Sequence, residues 1–425
     1  MGFATGRQTR RWRRSLWHLR GAVLAGVVAA LAPAGSAAED EYAVAPEPGV
    51  GVRALLDLRV VRGSEAPSWQ EGGPGTLRYG GIETNSGGFE RVTRFAISQL
   101  AVEPWADLPW GMRAHVQVNW DGDIDDRGDT SPPHDVIRLV EGVVRKEWGD
   151  AAQGWGLLAG VSNPPYSLEN VGPAWTPALT LTPSALNSWL WEEGRLLGLE
   201  GEWWRTTSSE LELDVFGGLG WGPDQQGILL AKRGWVLSDF LSGINSELPL
   251  PGPGPNTDVF DERDGRPAVY IGGTARDPWK IAKLRAGFYD NLGDLAVQGV
   301  WETYYGSVGV DVEPLPGLDI VFQYLIGHTA TRTAPLSSTV QALYPLVSYR
   351  WRSLRVSFRY DDFQVHDDDG APSTTQHGHA FTVSALFEFW RRHRIGVEYI
   401  TVDSERAGVS PLGDDGWQVS YRFRY

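Results

Sequence analysis

The last nine residues, Trp417-Gln-Val-Ser-Tyr-Arg-Phe-Arg-Tyr425, alternate strictly between apolar or aromatic and polar side chains. Successive side chains of an extended strand point to opposite faces. Trp417, Val419, Tyr421, Phe423 and Tyr425 therefore share one greasy face, and Gln418, Ser420, Arg422 and Arg424 share the other. The same period of two recurs upstream. Met112, Ala114, Val116, Val118 and Trp120 alternate with Arg113, His115, Gln117 and Asn119. Leu354, Val356, Phe358 and Tyr360 alternate with Arg355, Ser357, Arg359 and Asp361, and Ile395, Val397 and Tyr399 with Arg394, Gly396 and Glu398. Near the start, Val52, Ala54, Leu56, Leu58 and Val60 alternate with Arg53, Asp57 and Arg59.

Extending this pattern through the chain places strands at 51–62, 90–102, 111–121, 136–147, 155–162, 195–204, 210–221, 268–276, 281–290, 301–313, 318–328, 340–351, 354–365, 379–389, 394–402 and 417–425. Alternation is weakest in 90–102 and 136–147. Sixteen is an even number, as single-chain bacterial membrane barrels require; fourteen or eighteen also fit the pattern. A soluble β-sandwich alternates too, so the connections decide. Long polar ones, 63–89, 121–135, 162–192, 222–267, 366–378 and 403–416, alternate with short ones near 103–110, 148–154, 204–209, 277–280, 314–317, 351–353 and 390–393. Tryptophan stands at or beside every short turn except Pro314-Leu-Pro-Gly317: Trp105 and Trp110, Trp148, Trp203, Trp279, Trp351 and Trp390. With Tyr425 these form an expected aromatic girdle at one membrane interface. The fold expected is an all-β, transmembrane, antiparallel up-and-down barrel.

Composition agrees. The 425 residues contain no cysteine, which excludes disulfides, a cysteine nucleophile and thiolate-bound metals. They contain 2 methionines but 20 tryptophans, a residue favoured where one end of the side chain is dry and the other wet. A mean hydropathy of −0.27 excludes a bundle of transmembrane helices.

Residues 1–38 hold six arginines and no acid, then an apolar run from Gly21 to Pro33 and the small residues Ala34-Gly-Ser-Ala-Ala38. This is the order of a secretory signal peptide, too short in its apolar part to span a bilayer. Cleavage near Ala38 takes the balance from 38 bases against 53 acids to 32 against 53, a net −21. Nucleic acid is not a partner for such a polyanion. Residues 39–50 read as a short periplasmic N-terminal segment and 51–425 as the barrel.

A secretory signal, sixteen alternating strands, no plug domain and a final aromatic residue, Tyr425, together resemble the bacterial outer-membrane porins. The stretch Leu158-Ala-Gly-Val-Ser-Asn-Pro-Pro-Tyr-Ser-Leu-Glu-Asn170 resembles the approach to the third loop in the phosphate-selective porin-like group. That group lines its channel with lysine, whereas this chain has only Lys146, Lys232, Lys280 and Lys283, so phosphate selectivity is not carried over. The resemblance implies the outer membrane of a Gram-negative bacterium and a homotrimer. It also implies contact with lipid and lipopolysaccharide, and insertion by the barrel-assembly machinery through strand 417–425. It further implies that the third loop, 162–192 with Glu169, folds inward as a constriction.

A sixteen-stranded barrel is too wide to fill with its own wall side chains and is expected to enclose water. Parity directs Arg53, Arg59, Arg113, Arg285, Arg355, Arg359, Arg394, Arg422 and Arg424 inward, and Glu200, Glu202, Glu212 and Asp214 inward from another wall. Opposed charges across an aqueous gap select polar solutes. The expected function is passive diffusion of small hydrophilic solutes or ions, with no cofactor, no metal and no catalytic residue. Asp121-Gly-Asp-Ile-Asp-Asp-Arg-Gly-Asp129 begins like a calcium loop, but Asp126 replaces the glycine and Pro132 the bidentate glutamate. Two alternatives share the architecture. A lipid or peptide hydrolase would need a nucleophile beside a base, for which Ser373 with His377 and His379 is the nearest approach, in what reads as a loop. A polysaccharide export barrel would need a periplasmic partner, and only 39–50 is free on that side.

Overall fold

In the computed structural model, sixteen antiparallel strands close on themselves, the first pairing with the last. The structure describes residues 49–425 except 85–87, 124–136, 252–255, 333–335, 370–374 and 410–411. The expected signal segment, most of 39–50, most of the calcium-like loop, and Ser373 lie outside the described residues. In chain order the strands are β1 (Val50–Arg62), β2 (Thr93–Leu108), β3 (Met112–Asp123), β4 (Arg138–Gly149), β5 (Gln153–Ser162), β6 (Leu196–Thr206), β7 (Glu212–Trp221) and β8 (Ala268–Arg276). They continue as β9 (Ala282–Asp290), β10 (Glu302–Leu315), β11 (Leu318–Thr331), β12 (Leu336–Trp351), β13 (Leu354–Asp367), β14 (Gln376–Phe389), β15 (His393–Arg406) and β16 (Leu412–Arg424). Each of the sixteen expected segments overlaps one strand. The seam aligns Asp57 with Arg422 and Leu58 with Tyr421.

The two segments with poor alternation are the two whose parity breaks within the strand. In β2 the pairing with β3 shifts between Ile97 and Leu100, and Ser98 and Gln99 are both buried. In β4 the consecutive residues Val140 and Glu141 are both buried, opposite a shift between Gln117 and Val118. A β-bulge inserts one residue and so exchanges the two faces beyond it. β2 also runs on to Leu108, through the expected turn at 103–110, with its faces exchanged beyond the bulge. Trp105, expected in the girdle, instead points inward and is buried.

The wall is inverted relative to a water-soluble protein. Phe358, Ile271, Phe381, Leu199 and Val397 stand exposed on the outer face, whereas Asp57, Glu398, Asp361 and Arg359 are buried within. An exposed apolar band continuous around a closed barrel is tolerable only against lipid. Trp110, Trp148, Trp279, Trp351, Trp390 and Tyr425 are exposed at the end bearing the short turns, and Trp203 packs on Trp155 with ring centroids 6.3 Å apart.

Two connections at the other end, 163–195 and 222–267, carry buried residues that bond to inward-facing strand residues. The first contains helix α1 (Ala185–Glu193), capped by Ser184, with every one of its nine residues buried. The second contains the short helix α2 (Ile228–Lys232). Neither helix is long and apolar enough to cross a membrane.

Candidate functional site

The lumen is furnished on one side by ions. Starting at the seam, an alternating chain runs Arg422, Asp57, Arg59, Asp239, Arg78, Asp121, Arg138. Arg422 reaches Asp57 at 2.6 Å, Arg59 reaches Asp57 at 3.0 Å and Asp239 at 2.7 Å, and Arg78 reaches Asp239 at 2.9 Å. Asp121 pairs with both Arg78 and Arg138. The seven side chains come from β16, β1, the 222–267 connection, the 63–92 connection, β3 and β4, so the chain ties two connections to the wall. Burial pushes the Asp239 carboxyl up, but Arg59 and Arg78 more than offset this and hold it below the usual carboxylate range.

A second ionic group adjoins it. Arg359 on β13 binds Glu169 at 2.6 Å, Asp361 at 2.8 Å and the carbonyl of Thr182 at 2.6 Å. Glu169 accepts from the Ser184 amide and the Asn187 side chain, and Asp361 from the Ala185 amide. Glu398 accepts from the Leu181 and Thr182 amides at 2.7 and 3.0 Å. Gln418 joins the two groups, accepting from Arg59 at 2.7 Å and donating to Glu398 at 2.8 Å. The start of α1 is thus fastened to the wall by three carboxylates and one guanidinium.

The opposite side of the lumen is aromatic. Tyr166 packs against Phe216, Tyr270 and Tyr305 at 6.0, 6.4 and 6.0 Å, and Tyr305 stacks on Tyr289 at 4.9 Å and meets Trp189 of α1 at 5.2 Å. Tyr166 donates to the Phe288 carbonyl at 2.8 Å. Glu192 pairs with Arg233 at 2.6 Å. Glu193 accepts from the Trp189 indole and from the Gly227 and Leu229 amides, at 3.0 and 3.2 Å for the amides. Burial pushes the Glu193 carboxyl up to about 7, against these hydrogen bonds.

The remaining residues singled out in the sequence spread along the wall. Arg53 pairs with Glu103 at 3.0 Å and Arg113 with Asp107 at 2.7 Å, over the Trp105 ring. Glu200 accepts from Tyr270 at 2.7 Å, Glu202 pairs with Arg145 beside the like-charged Asp214, and Glu212 lies 3.7 Å from Lys280. Arg285 donates to the Ser167 carbonyl at 2.8 Å, and Arg355 pairs with Asp319. Arg394 is buried opposite Arg422, and Arg424 donates to the Arg391 carbonyl at 3.0 Å. The cations at the seam are therefore not a bare positive face set against acids on the far wall. Arg59 and Arg422 bracket an acid, Asp57, on their own wall. Sequence parity did not reveal Asp239, Arg78 and Arg233, which come from connections without a period, nor Glu192 and Glu193, whose helix is buried on every side.

At the short-turn end the lumen opens into a cavity of about 690 Å³. Leu168, Val171 and Leu179 line it from the 163–195 connection, and Arg276, Lys283, Arg350, Arg355 and Arg391 line it from the wall with Asp311, Asp319 and Glu388. Among groups able to hold a metal, Asp224, Glu262 and Asp264 bring carboxylate oxygens within 4.8 Å of one another, with Asp224 accepting from the amides of Arg263 and Asp264. His377 and His379 stand on β14 rather than in a loop, and are exposed and half-buried while the alternate residues Gln376, Gly378 and Ala380 are buried. They therefore face outward, away from the lumen.

A closed sixteen-stranded antiparallel barrel, lipid-compatible outside, girdled by tryptophan at its short turns and charged within, is the outer-membrane porin fold. Solved structures agree at the level of fold. The outer-membrane channel DcaP of Acinetobacter baumannii is similar over 93% of this chain and 100% of its own, with TM-score 0.54 and 11% identity. OprB of Pseudomonas putida is similar over 89% of this chain and 94% of its own, with TM-score 0.53 and 10% identity. An anion-selective porin from Comamonas acidovorans is similar over 88% and 99%, with TM-score 0.51 and 11% identity. No protein-family profile and no characterised protein matches the chain in sequence.

Proposed function

We propose that the protein is a channel for passive diffusion of small hydrophilic solutes or ions across the outer membrane of a Gram-negative bacterium. In this reading it works as a homotrimer among lipid and lipopolysaccharide, inserted by the barrel-assembly machinery through strand 417–425. The inversion of the wall carries the reading: carboxylates and guanidiniums line the interior of a barrel whose exterior is apolar. The segment 162–192 serves as the constriction, through Glu169 against Arg359 and the buried α1. The side chains packed on α1 leave far less cross-section than the wall alone encloses, so the conductance expected is small for a barrel of sixteen strands. Planar-bilayer recording gives discrete, small, ohmic steps, and liposome swelling with graded sugars, amino acids and phosphate ranks the solutes by size. A protein that stays silent in bilayers at every voltage and admits none of these solutes overturns the reading.

A further inference from the structure

Arg350 on β12 and Arg355 on β13 are directly opposed across the ladder, at the short-turn end. Like charges facing each other on one side of an antiparallel pair destabilise it unless something intervenes. Arg355 is offset by Asp319 and by the Ser348 hydroxyl. Arg350 has no carboxylate partner among the described residues, and neither has Arg391 on the next short turn, between β14 and β15. Both line the 690 Å³ cavity, whose inner surface is apolar, made by Leu168, Leu179 and Leu386. In a chain with 53 acids against 38 bases, this end of the lumen thus gathers unpaired guanidinium over a leucine floor. The cavity has the size of a small-molecule site. A guanidinium fork binds a carboxylate through two parallel hydrogen bonds, and the leucines reward a ligand that carries an apolar body.

We propose that this vestibule binds small organic carboxylates bearing an aromatic or alkyl group, the carboxylate on Arg350 and Arg391 and the apolar part on Leu168, Leu179 and Leu386. This deepens the channel reading by naming a solute class, and the binding itself requires no conduction.

Calorimetric titration of the purified protein in dodecyl maltoside with naphthoate tests it. The expected result is saturable binding that R350Q/R391Q weakens by about tenfold or more. Naphthalenemethanol, with the ring and no charge, gives no saturable binding, and acetate, with the charge and no ring, does not displace naphthoate. Both arginines lie at or beside turns, and unchanged circular dichroism and heat-modifiable gel migration of the variant verify its fold; R391Q alone, in an exposed turn, gives a smaller loss in the same direction. Undiminished binding to R350Q/R391Q, or displacement by acetate as effective as by naphthoate, overturns the proposal. Laurate and benzoate as competitors separate a lipid-derived acid from a water-soluble one. Bilayer recording on the same preparation keeps the two readings apart. Saturable binding by a silent protein sinks only the channel, and conduction without binding sinks only the site.

Discussion

The two sides of the lumen are built from the same kind of strand and do the same job by different physics. On the side of β1, β13, β15 and β16, the connections are held by guanidinium and carboxylate, as Arg359 holds Glu169 and Arg59 holds Asp239. On the side of β7 to β10 they are held by rings, as Tyr305 and Phe216 hold Trp189 and Tyr166. An acid placed on each side reports the difference. Asp239, between two arginines, is held below the ordinary range, whereas Glu193, buried among rings and hydrogen-bonded only by neutral donors, is pushed above it although Arg233 stands near. The ionic side therefore depends on complete pairing, and the aromatic side on packing and on a proton.

The largest effect expected comes from breaking the ionic side at its centre. Asp57 is fully buried between Arg59 and Arg422. Asp57→Ala takes the acid from the buried Arg422, leaves Arg59 with Asp239 alone, and costs about 3–5 kcal/mol, read as a lowered denaturant midpoint in detergent micelles. A loss no larger than for an exposed pair would erase the contrast between the two sides.

A smaller effect titrates the aromatic side. Glu193 ionises near 4.5 in the unfolded chain and near 7 in place, so the folded form holds a proton that the unfolded form has lost between those values. The unfolded state then binds fewer protons, and stability falls as pH rises from 4.5 to 7, by up to about 3 kcal/mol at 1.36 kcal/mol per pH unit. The protection factors of the Gly227 and Leu229 amides, that is, exchange rates corrected for their intrinsic rise with pH, should fall across that window in the native protein and stay level in Glu193→Gln. Equal pH profiles for the two proteins would remove Glu193 from the account.

The smallest effect calibrates the others. The Arg53 side chain is 45% exposed in its pair with Glu103. Arg53→Ala is worth about 0–1 kcal/mol in the same denaturant assay.

The strands were legible because lipid outside and polar groups inside impose one rule on every wall residue, and Trp417–Tyr425 states that rule in nine letters. It failed where a bulge exchanged the faces, at Ser98–Gln99 and Val140–Glu141, and Trp105 went with it. The inward orientation of Arg59, Arg359 and Arg422 follows from parity, but their partners do not. Asp239 lies 180 residues from Arg59 and in a connection with no period, so only the closed barrel brings them together. The filling of the lumen by aromatic residues was likewise hidden, because Tyr166 and Trp189 read as ordinary members of a proline-rich loop.

The meeting of Asp57 with Arg422 and Ser420 across the seam has a consequence for biogenesis. The first strand of the barrel carries a carboxylate that meets Arg59 on the same strand but whose other partners, Arg422 and Ser420, arrive with the last. Until the circle is complete that group has no counter-ion from β16, and an unfinished sheet is electrostatically marked as unfinished. The full set of bonds to this carboxylate thus exists only in a sheet whose first and last strands have met.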